Sequence, residues 1–265
     1  MRSSRARYFE LVKVLGFTDF KLRFSTSILG YLWSVLKPLG IFSVLYLVFG
    51  RMLRFSDVPH YRDRLLLGIF IWGYFAEAST AGIQSLLGKS HIISKIYFPR
   101  SIAVVGASIN YLLTFGINLC IVAAFFFIDG VGFSRYALLF PLYVAELYLI
   151  VLGISFLLSV AYLRFRDLAE IWTILITAGF YATPILWPIE QIADPRYRKL
   201  LYLNPMTFIV EYSRRVLIEG RIADDTGSVR TFLAGNAVIF AVSLLLFVAG
   251  FIVFRRVSPR AAEYI

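Results

Sequence analysis

Residues 28–50 read ILGYLWSVLKPLGIFSVLYLVFG, a long apolar run whose only charged side chain is Lys37. An α-helix rises about 1.5 Å per residue, so about 20 apolar residues cross the hydrocarbon core of a bilayer, which is about 30 Å thick. A backbone that crosses lipid must satisfy its own hydrogen bonds, as a helix does. This stretch therefore predicts a membrane-spanning helix.

The rest of the chain repeats this pattern. Comparable apolar runs lie at about residues 65–87, 101–128, 136–163, 168–187 and 232–254. Of the 265 residues, 59% are hydrophobic and 16% are charged, and the mean hydropathy is +0.76. A soluble domain has about 45–50% apolar and about 25% charged residues. The sequence thus predicts an all-α membrane protein in which residues 28–265 form one domain of six transmembrane helices.

Basic residues predict the orientation of this bundle. Six spans place both ends on one side, and cytoplasmic segments carry an excess of Lys and Arg. More than half of the 27 Lys and Arg residues fall in segments 1–37, 88–100, 164–167 and 255–265. Both termini are therefore expected in the cytoplasm. The net charge of +11 is then explained by basic flanks of the spans rather than by nucleic-acid binding.

Residues 1–27 precede the first span and are too polar to cross the membrane. Tyr8, Leu11 and Val12 share one helical face, and the opposite face is charged. We expect an amphipathic helix lying in the cytoplasmic membrane interface, with a soluble helix as the alternative. Its candidate contacts for lipid head groups are Arg5, Arg7, Lys21 and Arg23.

The long loop between spans five and six is unusually apolar, and residues 189–220 form its core. Asn204 and Pro205 are typical of a helix start, and Gly220 is typical of a helix end. Residues 195–203 predict another short helix. We expect short outer helices that dip toward the membrane as a gate, or else a structured cap. The candidate gate residues are Asn204, Pro205, Phe208 and Tyr212.

The sequence does not indicate a catalytic, metal or nucleotide site. Cys120 is the only cysteine, and His60 and His91 are the only histidines, which argues against disulfides and metal clusters. Residues 82–90 read GIQSLLGKS, where five residues rather than four precede the GKS, so a phosphate-binding loop is not expected. The chain is predicted to be no enzyme and to hold no cofactor.

Charged and aromatic residues within the spans are the remaining candidates. A charge inside a membrane usually faces a bundle interior or water. Glu77 is therefore expected either to line a polar path or to make an interhelical hydrogen bond, whereas Lys37 and Glu146 are expected to snorkel or bond to a neighbouring helix. Ring faces suit the C–H groups of sugars. The candidate path residues are Glu77, Phe75, Phe180 and Tyr181.

Six strings in order along the chain resemble the type-2 ABC transporter permeases that export polysaccharides, the O-antigen and teichoic acid group. They are DFKLRFSTSILGYLWSVLKPL (19–39), KSHIISKIYFPR (89–100), FRDL (165–168), FYATPILWP (180–188), LNPMTFIVEYSRRVLIEG (203–220) and FRRVSPRAAEYI (254–265). Together they span nearly the whole chain.

This resemblance implies a permease subunit in a bacterial inner membrane. It implies a homodimer that works with two separate ATPase subunits, which bind ATP and Mg, and that passes a lipid-linked polysaccharide between its two copies. Segment 189–220 would close the outer mouth. Segment 89–100 would couple to the ATPase through Lys89, His91, Lys95, Tyr97 and Arg100.

Three other functions remain open at this point. The chain could be a type-2 permease for a smaller lipid or a drug, an intramembrane enzyme that modifies lipids, or a membrane scaffold that transports nothing.

Overall fold

The computed structural model describes residues 11, 12, 14, 16, 18, 30–88, 99–192, 194–222 and 229–259. The four predicted head-group cations lie outside these residues, as do Lys89, His91, Lys95 and Tyr97 of the predicted coupling segment. All regular elements in the described residues are helical.

Eight α-helices follow one another from residue 30 onward in the described ranges. They are α1 (Trp33–Leu45), α2 (Tyr61–Gln84), α3 (Ser101–Ile128), α4 (Phe140–Ala161), α5 (Leu168–Ala182), α6 (Pro195–Leu201), α7 (Pro205–Arg214) and α8 (Val229–Val257). Segments Tyr46–Met52 and Arg215–Glu219 continue α1 and α7 as π-helices, and segment Arg135–Leu139 leads into α4 as a 3₁₀-helix.

Five of the described helices are long and apolar enough to cross a membrane. They are Trp33–Met52, Tyr61–Gln84, Ser101–Ile128, Arg135–Arg164 and Arg230–Val257. Each coincides with one of the predicted apolar runs. The prediction of an all-α membrane protein is therefore confirmed.

The predicted fifth span has a different shape. Helix α5 has 15 residues, which is about 22 Å of helix and less than the bilayer core. It stops because Thr183 precedes Pro184, and a residue before proline is pushed out of the helical region; Thr183 has φ −92° and ψ 138°. Residues 183–187 then run on without helix, and Thr183, Ile185 and Leu186 are almost fully buried.

Helix α2 is the centre of the bundle. It contacts α1, α3, α4, α5 and α7, and most of its side chains are buried. Helices α4 and α8 make the most extensive contact among the described helices, because Gly153 and Gly250 let their backbones approach closely. A Cβ on Gly153 would lie 2.6 Å from the carbonyl oxygen of Leu246, so a side chain does not fit there.

Candidate functional site

The predicted outer segment forms two short helices, α6 and α7. The side chain of Asp194 accepts from Arg196 N at 2.8 Å and caps α6. The side chain of Asn204 accepts from Met206 N at 3.0 Å and caps α7, with Pro205 at the first helical position. Gly220 ends the π-helical continuation with φ +62°. The predicted helix start and helix end are confirmed.

The aromatic stripe of α7 faces the bundle core. The rings of Phe208 and Tyr212 stack with centroids 3.7 Å apart, and Tyr212 stacks on Phe232 of α8 at 5.0 Å. A Cβ on Gly235 would lie 2.9 Å from the hydroxyl of Tyr212, so this glycine lets α7 approach α8. The candidate gate residues Phe208 and Tyr212 are thus buried packing residues in this chain.

A buried guanidinium joins α7 to two other parts of the fold. Arg214 is 2% exposed, and its five N–H groups make five hydrogen bonds. Its Nε and Nη2 donate to the carbonyl of Arg64 at 3.0 and 2.9 Å. Its Nη1 donates to the carbonyl of Pro184 at 2.6 Å and to the carboxylate of Glu211, and Nη2 donates to the carbonyl of Ile185 at 3.0 Å.

Two of these bonds satisfy carbonyls of the non-helical segment 183–187, those of Pro184 and Ile185. The hydroxyl of Tyr61 donates to the carbonyl of Leu186 at 2.6 Å, and Asn204 Nδ2 donates to Thr183 Oγ1 at 3.0 Å. Non-helical backbone at membrane depth survives only where protein or water surrounds it. Arg214 and these neighbours are the protein groups that surround this segment.

Arg64, at the start of α2, extends the cluster with three carboxylates. Its Nη2 lies 3.0 Å from Glu190 Oε1 and 3.6 Å from Glu211 Oε2, and its Nη1 lies 3.1 Å from Glu219 Oε1. Arg221 adds a further contact to Glu219 at 2.7 Å. Three arginines and three glutamates therefore balance, which a partly buried ionic cluster requires. We call this set the outer ionic cluster; its members are Arg64, Glu190, Glu211, Arg214, Glu219 and Arg221.

The field of this cluster acts on Glu190, which lies outside the spans. Burial alone would raise the pKa of its carboxyl, but the Arg64 guanidinium and hydrogen bonds to the charged form hold that pKa below its ordinary value. Glu190 is therefore an anion over the physiological pH range. The cluster links α2, the segment that follows α5 and α7 into one unit, and it is not among the sites predicted from the sequence.

The predicted path residue Glu77 lies in a cavity of about 280 Å³ between α1, α2 and α3. Its Oε1 is 4.0 Å from Nζ of Lys37, and the two side chains are 35% and 69% exposed. Trp33, Tyr74 and Asn118 also line this cavity. Because a charged pair is costly in lipid, this face requires water or another polypeptide against it.

The other three predicted path residues lie between α2 and α5 or at the end of α5. Phe75 is buried, with ring contacts to Trp72 at 5.3 Å and to Trp172 at 6.3 Å. Phe180 is half-buried, and its ring centroid is 5.5 Å from that of Tyr181, which is 60% exposed. Of these three aromatic residues, Tyr181 presents the most surface to a passing ligand.

At the opposite end of the bundle, Arg100 precedes α3. Its Nη1 donates to the carbonyl of Ser258 at 2.6 Å, just after α8. This bond ties the end of the predicted coupling segment to the end of the last helix.

The chain is similar to known membrane transport proteins. The ABC-2 type transporter family matches residues 10–218 of this chain. An O-antigen export system permease protein RfbA of Klebsiella pneumoniae is 28% identical over 264 residues, covering 99% of this chain and 98% of that protein. RfbA of Myxococcus xanthus is 27% identical over 207 residues, 78% of this chain and 79% of that protein. The polysialic acid transport protein KpsM of Escherichia coli is 22% identical over 221 residues, 80% and 83% of the two chains.

Proposed function

The chain belongs to the ABC-2 type transporter family, and from this membership we propose that it is the membrane subunit of a polysaccharide exporter. The observation that carries the proposal is the match to O-antigen export permeases over nearly their full length. The substrate class is a lipid-linked polysaccharide that leaves the cytoplasm across the bacterial inner membrane. The energy comes from ATP, bound with Mg by two separate ATPase subunits.

The proposed assembly is a homodimer with the path between its copies. The exposed Lys37–Glu77 pair supports this, because a second copy and a hydrated path would cover charges that lipid disfavours. Helix α5 supports it further, since none of its residues is buried within this chain. A polymer that slides through must be bound weakly at each point, which fits an exposed polar and aromatic face rather than one deep site.

The proposed topology has six spans with both termini in the cytoplasm. The fifth span is α5 together with the non-helical residues 183–187, in which Arg214 and Tyr61 donate to the carbonyls of Pro184, Ile185 and Leu186. Helices α6 and α7 then form the re-entrant outer gate. Cysteine at His60, in a Cys120→Ser background, should be labelled from outside intact cells, whereas cysteine at Arg256 should need permeabilised cells.

The export experiment removes this chain from its bacterium. Surface polysaccharide should disappear while lipid-linked polysaccharide accumulates inside, and a tagged copy should purify with a second tagged copy and an ATPase. Altered drug resistance without accumulated glycan would instead identify a permease for smaller molecules.

The substrate path is tested by Glu77→Gln, which keeps the size of the side chain but removes its charge. Export should fall severalfold at an unchanged membrane level of the protein. The control is Asp57→Asn, an exposed acid in the loop before α2, which should export normally. Wild-type export by the Glu77 variant would assign Glu77 to packing alone.

A further inference from the structure

A larger cavity lies between α6, α7 and the first half of α8, and the gate candidates Pro205, Phe208 and Tyr212 form part of its lining. Its volume is about 680 Å³, and it shares no lining residue with the cavity around Glu77. The proposed transport function does not assign a ligand to this cavity.

One wall of this cavity is an apolar stripe on α8. Thr231, Gly235, Val238 and Val242 lie on successive turns of the helix and all line the cavity. At about 1.5 Å per residue, this stripe is roughly 16 Å long. It therefore offers a slot for an extended hydrocarbon chain.

The opposite wall is cationic. Arg198 and Lys199 of α6 and Arg215 beyond α7 line the cavity, and no carboxylate or amide side chain is among its described lining residues. Arg198 is held in place by the carbonyls of Ile192, at 2.7 Å, and Glu190, at 3.0 Å. Arg215 is 6% exposed and lies 5.2 Å from the ring centroid of Tyr212.

Charge and shape together restrict the occupant. A glycan would find only the hydroxyl groups of Tyr202, Tyr212 and Thr231 and the three cations as polar side-chain partners among the described lining residues, whereas a negative head group with a hydrocarbon tail matches both walls. We propose that this cavity binds an anionic membrane phospholipid, with its phosphate against Arg198, Lys199 and Arg215 and one acyl chain along α8. The lipid would pin the outer helices to α8.

The test is lipid-dependent thermal unfolding of the full-length chain, purified in a neutral detergent and followed by tryptophan fluorescence. Phosphatidylglycerol at a large excess over its dissociation constant should raise the unfolding midpoint by about 5 °C. Phosphatidylcholine should give a much smaller rise, and added salt should weaken the response to phosphatidylglycerol.

Two variants locate the response in the cavity. The double variant Lys199→Gln with Arg215→Gln should remove most of the rise in unfolding midpoint, because it deletes two of the cations. Val238→Trp should also remove most of that rise, because the larger side chain fills the space along α8. Val238 is 63% exposed, so this change leaves the core intact. The control is Arg255→Gln with Arg256→Gln at the other end of α8, which should respond like the wild type.

Four results would overturn the proposal. The first three are a full response in both cavity variants, an equal response to phosphatidylcholine, and the same rise with inorganic phosphate alone. The fourth is a disulfide between two copies that carry Cys120→Ser and Val238→Cys, formed without any rise of the midpoint on adding phosphatidylglycerol. The readout requires neither export nor an ATPase, so it fails or succeeds independently of the proposed function.

Discussion

A single methyl group on α2 tests whether the outer ionic cluster is a rigid part of the fold. Gly68 faces the guanidinium of Arg214, and a Cβ there would lie 2.9 Å from Nη2 of Arg214 and 3.1 Å from Cγ2 of Ile185. In an exposed position that arginine would simply swing away. Here its five hydrogen bonds hold it, so Gly68→Ala must break some of them.

The cost follows from the atoms that move. Retreat of Nη2 removes the bond to the carbonyl of Ile185, and a buried carbonyl without a partner costs about 1–3 kcal/mol. Overpacking adds about 1–3 kcal/mol. The higher helix propensity of alanine offsets about 1 kcal/mol of this loss of stability. We expect a net loss of about 1–5 kcal/mol, and the middle of that range corresponds to a fall in the unfolding midpoint of about 10 °C.

Gly73→Ala, on the same helix, is the matched control. Nothing lies within 4 Å of its added Cβ, so this variant should unfold at or slightly above the wild-type temperature. Both variants are compared by tryptophan fluorescence during heating in detergent. A midpoint of Gly68→Ala equal to that of Gly73→Ala would refute the rigid cluster.

A second substitution tests the mechanism. Arg214→Lys offers three N–H donors in place of the five that make hydrogen bonds in the wild type, so this substitution by itself should destabilise the protein. The shorter ammonium also vacates the space that the methyl group needs. The double variant Gly68→Ala with Arg214→Lys should therefore lose less stability than the sum of the losses in the two single variants. Strictly additive losses would show that the methyl group at position 68 does not act through Arg214.

Three further predictions concern other parts of the chain. Because the pKa of Glu190 is lowered in the folded state, its stabilising contribution is complete above its ordinary value of about 4.3 and is lost as the pH falls through the folded-state pKa. Glu190→Gln should therefore lose less stability than the wild type as the pH falls below about 4.3, measured by thermal unfolding. Both carboxyl oxygens of Glu146 are buried without a hydrogen-bond partner in the described residues, so Glu146→Met, of similar size, should raise the unfolding midpoint, and a lower midpoint would reveal an unrecognised partner. Arg100→Gln loses its charged bond to the carbonyl of Ser258, so export per ATP hydrolysed should fall while the ATPase still co-purifies, and unchanged coupling would remove Arg100 from that role.

The spans could be predicted because bilayer thickness alone sets the length of their apolar runs. Caps could be predicted for the same local reason: Asn204, Pro205 and Gly220 act through their own backbone geometry. The shortened α5 was the exception, because apolar residues continue past Thr183 and hide the break before Pro184. A residue that precedes proline inside a predicted span was the available signal.

The outer ionic cluster could not be predicted from spacing, because its members come from distant parts of the chain. Arg64 and Glu211 are brought together only when α2 packs against α7. In the sequence, Arg64 looks like an ordinary charge flanking a span. The charged cluster RDR before the apolar part of α2, and the pair Glu211 and Arg214 one turn apart, were the only local hints.

The outer ionic cluster also restricts how the proposed gate can open. Helix α7 is bonded through Arg214 to the start of α2 and to the end of α5, so moving α7 alone would strand a buried guanidinium and a carboxylate, at a cost of about 3–5 kcal/mol. Moving α2, α5 and α7 together breaks none of these bonds. On the proposed function, the outer mouth therefore opens by separating two such units across the interface of the dimer. A disulfide between α7 and segment 183–187 within one chain should leave export intact, and loss of export would show that the gate moves within the chain.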